Sequence, residues 1–114
     1  MQKIDAEIGK NGFKYKQVHE GENFYIYEQR IPENGNKIIA YEVFEKKIAK
    51  ERETEWANMP EREIFPSNEA FGVWAWSMAV KGDNAEKGLA RAMERGLEIN
   101  ERIKLRENEQ EATT

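Results

Sequence analysis

The chain has 114 residues, 35% charged and 39% hydrophobic, with a net charge of −4 and no cysteine. That allows one modest core and excludes a second, and the acidic balance excludes general attraction to phosphate backbones, so nucleic acid would need a local basic patch. Without cysteine there are no disulfides, thiolate nucleophiles or cysteine metal sites, and with no apolar leader and no run near the roughly 20 apolar residues of a membrane span a cytoplasmic protein is expected.

Residues 1–12 are polar and end on the turn signal Lys10-Asn11-Gly12; they read either as a short helical turn or as loose chain. The domain proper is expected over residues 13–104. From Phe13 the period is two. Phe13 to His19 alternates, Glu20 to Asn23 is a turn, and Phe24 to Ile31 is rich in aromatic and β-branched residues, so the pair reads as a hairpin. Asn34-Gly35 then marks a second tight turn before Lys37 to Phe44, which makes three antiparallel strands in a meander.

With the turns centred on Gly21-Glu22 and Asn34-Gly35, opposed residues share a face. Phe13, Tyr15, Gln17, Phe24, Ile26, Ile39, Tyr41 and Val43 make the core face. Lys14, Lys16, Val18, Tyr25, Tyr27, Gln29, Ile31, Ile38, Ala40, Glu42 and Phe44 make a mixed outer face, and a one-residue slip in either turn would exchange the two. Glu45 to Glu53 either prolongs the third strand or makes a surface excursion. Trp56 is expected to dock on the core edge, and Glu61 to Phe65 offers a fourth strand.

Ile64 to Val80 carries two of the three tryptophans and reads as a central helix. Pro66 ends the extended chain, Ser67 is placed to cap the first turn, and Glu69 suits the positive end of the helix dipole. Ala70, Phe71, Trp74, Ala75 and Met78 form one apolar stripe, and Val73, Trp76 and Val80 form another, so a sheet and a second helix are expected to cover it. Asp83-Asn-Ala-Glu86 has capping-box spacing for that second helix, which is expected to run to about Lys104 on Ala85, Leu89, Ala92, Met93, Gly96, Leu97 and Ile103. Gly88 and Gly96 each cost about 1 kcal/mol against Ala, which points to close packing at one or both. Residues 105–114 are expected to fray. The fold class is therefore α+β, a three- to four-stranded antiparallel meander packed against two C-terminal helices, with Phe71, Trp74 and Met78 on the Phe13/Ile26/Val43 face.

The chemistry-bearing residues are sparse. His19, beside Glu20 and Glu22, is the single histidine and reads as a solvated turn residue, since a metal would need two or three convergent ligands. No Gly-rich phosphate loop, Gly-x-Ser-x-Gly or His-Glu-x-x-His occurs. A non-enzymatic protein without a cofactor is the expectation. Two surfaces are then open. Tyr25, Tyr27 and Phe44, with Lys14, Lys16 and Gln29 around them, either form a protein-contact face or are covered as a second small core. The same face, with Arg30 beside it, matches the arrangement of sheet-reading DNA-binding modules, although Glu28, Glu42 and the acidic total oppose that reading. An exposed edge strand or helix face would also allow a homodimer.

Tyr41-Glu-Val-Phe44, followed by Phe65-Pro-Ser-Asn-Glu-Ala-Phe-Gly-Val-Trp-Ala-Trp76, resembles small uncharacterised proteins of bacteriophages and mobile elements with a Tyr-Glu-Val strand and a Pro-Ser-x-Glu-x-Phe-Gly motif. The resemblance spans roughly residues 13–80 and brings no catalytic residues. It implies an accessory protein acting on a host or phage protein, for example an anti-defence inhibitor. Carboxylates at Glu51, Glu53, Glu55, Glu61 and Glu63 would suit nucleic-acid mimicry, diluted by Lys46, Lys47, Lys50, Arg52 and Arg62.

Overall fold

The computed structural model describes residues 2–49, 52–53, 58–82 and 84–113. Strand β1 (Glu7–Lys10) turns through Asn11 and Gly12, whose φ angles of 55° and 81° are the left-handed pair that a two-residue hairpin needs, into β2 (Phe13–Glu20). Residues 7–10 are therefore a strand rather than a helical turn or loose chain. Next come β3 (Phe24–Ile31) and, after a 3-10 turn at Pro32–Asn34 closed by Gly35 at φ 70°, β4 (Lys37–Glu45). The meander expected from the alternation is present.

Beyond β4 the chain makes an excursion of two short pairs. β5 (Ile48–Ala49), β6 (Arg52–Glu53), β7 (Asn58–Met59) and β8 (Arg62–Glu63) pair antiparallel as β5 with β8 and β6 with β7. Trp56, expected on the core edge, lies outside the described residues. The fourth strand expected at Glu61 to Phe65 is β8, outside the main sheet.

The central helix is not there. Ser67 precedes a 3-10 turn at Asn68–Ala70 without a side-chain cap hydrogen bond, Gly72 takes φ 84°, and β9 (Ala75–Ala79) follows. Two causes act together. A left-handed residue at 72 interrupts any helix through 67–80, and Ala75, Ser77 and Ala79 alternate with Trp76, Met78 and Val80, a period of two as well as of 3.6. β4 supplies the partner, in register from Ala40↔Ala79 to Phe44↔Ala75, and the main sheet closes in the order β1-β2-β3-β4-β9.

Among the described residues one α-helix covers this sheet, not two. α1 (Ala85–Thr113) starts where the Asn84 side chain accepts from Lys87 N at 3.4 Å; Asp83, the expected cap, lies outside the described residues. Ala85, Leu89, Ala92, Met93, Ile99 and Ile103 pack on Phe24, Ile26, Tyr41, Val43, Trp76 and Met78, at the i, i+3, i+4 spacing of a single apolar stripe. Leu97, expected in that stripe, faces away and is 56% exposed. The tail expected to fray stays helical to Thr113, as its helix-forming Arg, Glu and Gln content allows, and Arg106 ties it to Glu45 at 3.1 Å.

Each face of the sheet carries a buried core. The face opposite α1 holds Tyr15, Tyr25, Tyr27 and Phe44 beneath Ile4, Ile8, Phe13, Phe65, Ala70, Phe71, Ala75 and Trp74. A bulge between Gln17 and His19 shifts the β2 register, so Tyr15 and Gln17 join the Tyr27 side while Lys14 and Lys16 join the Phe24/Ile26 side, the reverse of the expected assignment for this half of β2. Phe71 and Trp74 accordingly pack on the tyrosine side, and only Met78 meets the Ile26/Val43 side.

Candidate functional site

The residues expected to make contact with a partner part company in the fold. Tyr25, Tyr27 and Phe44 are 1%, 0% and 0% exposed, so no partner can reach them; the expected contact face is a second core. Their polar ends are satisfied internally. The Tyr25 hydroxyl donates to Glu63 Oε1 at 2.6 Å, the Tyr27 hydroxyl donates to the Asp5 carbonyl at 2.6 Å and accepts from Gln17 Nε2 at 3.0 Å. Burial, then the Glu63 carboxylate, holds the Tyr25 phenol well above its ordinary pKa. Gln29 also turns inward, where its Nε2 donates to the Tyr15 hydroxyl at 3.0 Å. Glu63, one of the carboxylates expected to mimic phosphates, is buried as well. His19 is half-buried with its ring 5.4 Å from that of Phe24, not a solvated turn residue.

Lys14 and Lys16 remain on the surface, and β1 gives them a setting. They stand on the α1 side of the sheet, on the part of β2 that the helix does not cover. Pairing sets two rows across β1, β2 and β3: Glu7, Lys16 and Glu28 in one, and Gly9, Lys14 and Arg30 in the other. The rows line a trough of about 500 Å³, with Ile8, Tyr15 and Asn36 completing it. Gly9 adds no side chain, so the second row is open at one end.

The charges in the trough are unevenly matched. Arg30 Nε is bound to the buried Glu28 at 2.8 Å and Arg30 Nη1 donates to the Asn36 carbonyl at 2.7 Å. Lys16 lies between two carboxylates in its row. Lys14 has Gly9 on one side and, on the other, Arg30, whose own charge is taken up by Glu28, so no carboxylate stands opposite Lys14 in its row. No ion pair forms at either lysine among the described residues. A carboxylate or phosphate group placed over Lys14 and Lys16 would relieve that imbalance with two charge-assisted hydrogen bonds. Sequence reasoning found the lysines but missed Glu7 and Gly9; the signal for them was Asn11-Gly12 between Glu7-Ile-Gly-Lys10 and Phe13-Lys-Tyr15, the same hairpin mark read at Asn34-Gly35.

The other clustered charges serve the fold. Glu45 is held by Lys47 and Arg106, both at 3.1 Å, and Glu20 by Lys46 at 2.8 Å and Lys3 at 3.0 Å. These two lysines, Lys46 first, draw the Glu20 carboxyl below its ordinary pKa. Glu42 is buried with no such partner among the described residues, and desolvation pushes its carboxyl up to about 7 against a smaller opposing pull from Lys10. Among the described residues, no group of three or more His, Asp or Glu is disposed to hold a metal ion, and no helix is long and apolar enough to cross a membrane. No protein-family model, curated protein or solved structure matches the chain.

Proposed function

We propose that this is a non-enzymatic binding protein that takes an acidic segment of a protein partner into the Lys14/Lys16 trough. The observation that supports it is the cross-strand row Gly9-Lys14-Arg30, in which a lysine faces a guanidinium and no carboxylate. Such a row is poor for stability and good for an anion. A nucleic acid is the weaker fit. Two free lysines neutralise about two phosphates, where firm DNA binding uses about 6–10. The proposed setting, a phage or mobile-element accessory role such as inhibition of a host defence protein, rests on the Tyr41–Phe44 and Phe65–Trp76 resemblance alone.

The test is a fluorescence-anisotropy titration of a dye-labelled glutamate-rich peptide and of a short DNA duplex, against the parent chain and the Lys14→Glu/Lys16→Glu double variant. The peptide is expected to bind the parent and to lose about tenfold or more in the variant. Equal affinity for both chains would remove the trough as the site. Tighter binding to the duplex, with a log–log salt slope well beyond about −2, would transfer the site to nucleic acid.

A further inference from the structure

At the opposite end of the sheet from the trough, β9 is an edge strand. Its inner side is accounted for. Val80 N donates to the Ile39 carbonyl at 2.8 Å and Glu45 N to the Trp74 carbonyl at 2.9 Å, so by the alternation of an antiparallel ladder Trp74, Trp76, Met78 and Val80 aim their backbone groups at β4. Ala75, Ser77 and Ala79 aim theirs outward. The Ala75 carbonyl is taken by Gly72 N at 2.8 Å. The outward amides and carbonyls of Ser77 and Ala79 have no partner among the described residues, and both residues are exposed.

An open edge invites any extended chain, and folded proteins normally blunt it. Here the flank adds selectivity. Trp76 lies on the α1 side of β9, and two guanidinium groups from the helix sit over its ring, Arg95 at 4.9 Å and Arg102 at 5.9 Å. Arg91 is one turn before Arg95 on the same side of the helix. Glu98 answers Arg95 at 3.1 Å, while Arg91 and Arg102 form no ion pair among the described residues. Arg95 and Arg102 thus border the edge over Trp76, with Arg91 one turn before them and Glu98 beside them. Every second residue of a strand added there would point at them.

We infer that the outer edge of β9 is a docking site for an extended, acidic segment of another protein, which joins the sheet as a further strand. Main-chain bonds at Ser77 and Ala79 hold the segment, and alternate carboxylates meet Arg91, Arg95 and Arg102. A second copy of this chain is disfavoured as the occupant, because pairing β9 with its own copy would set the two arginine rows against each other.

This site is independent of the trough, and the test keeps them apart by using the Lys14→Glu/Lys16→Glu chain throughout. The probe is a peptide alternating glutamate with threonine, followed by amide chemical shifts. It is expected to shift the Ser77 and Ala79 amides and to protect them from exchange, while a lysine–threonine peptide does neither. Ser77→Pro removes an outward N–H and leaves the β4 ladder intact, and should weaken binding about tenfold. Arg95→Gln/Arg102→Gln tests the flank without touching the edge and should also weaken it about tenfold. Equal binding of the lysine peptide, or shifts that bypass residues 75–79, would overturn the inference.

Discussion

Gly96 of α1 lies so close to the Phe24 ring that a β-carbon there would fall inside the ring's van der Waals envelope, and Gly21 meets the same ring from its own turn. Phe24 is fully buried between them. The helix approaches the sheet at this distance only because position 96 has no side chain. A β-carbon at Gly88 would meet Tyr41 and Val80 at 3.2 Å, a looser second contact.

Gly96→Ala should therefore destabilise the chain, although the same change in an exposed helix gains up to about 1 kcal/mol. Overpacking against Phe24 is expected to cost about 1–3 kcal/mol net and lower Tm by roughly 5–15 °C. Gly88→Ala should stay within about 1 kcal/mol of the parent. Thermal melts of both variants check this, and a Gly96→Ala Tm at or above that of the parent would mean that the helix does not sit on Phe24.

Tyr27 belongs to the core rather than to a contact surface, and its hydroxyl serves Asp5 and Gln17. Tyr27→Phe is expected to cost about 1–2 kcal/mol, since it strands the Asp5 carbonyl. Tyr27→Ala should cost about 3–5 kcal/mol, more than Trp74→Ala, whose side chain is only partly buried. Denaturant midpoints of the three variants give the order directly.

Glu42 supplies a pH dependence of known sign. Its folded pKa of about 7 lies above the ordinary value of 4.5, so the neutral form is the one the fold favours. Stability from this group is complete below about pH 4.5, falls as the pH rises toward 7, and levels off above that, the opposite of a salt-bridged carboxylate. Glu42→Gln should raise Tm at pH 8 and change it little at pH 4.5. A variant that gains nothing at pH 8 would show that the carboxylate is solvated.

Lys14 is expected to oppose stability and support binding. Lys14→Glu places a carboxylate beside Arg30 in register, which should stabilise the sheet by up to about 1 kcal/mol while weakening capture of an acidic peptide. Melting and anisotropy measured on the same sample separate the two effects. A variant that is both less stable and still binding would contradict the assignment.

Much of the sheet was legible before folding was considered. Alternation and Asn-Gly turns determine β2, β3 and β4, because a period of two and a left-handed turn are local properties of a few residues. The close-packing role of Gly96 was legible for the same reason: a glycine inside a helix pattern needs a neighbour to explain it. What tertiary structure alone decided is which pattern wins where two coexist. Residues 74–80 satisfy both a helical and a strand period, and the free edge of β4 together with the left-handed Gly72 selects the strand. Likewise a bulge at Val18, which no local signal marks, moves Tyr15 and Gln17 from the Phe24/Ile26 side to the Tyr27 side and sets Lys14 and Lys16 on the α1 side beside Arg30. One extra residue in a ladder exchanges the faces of everything beyond it, so the identity of the surface is a property of the assembled sheet.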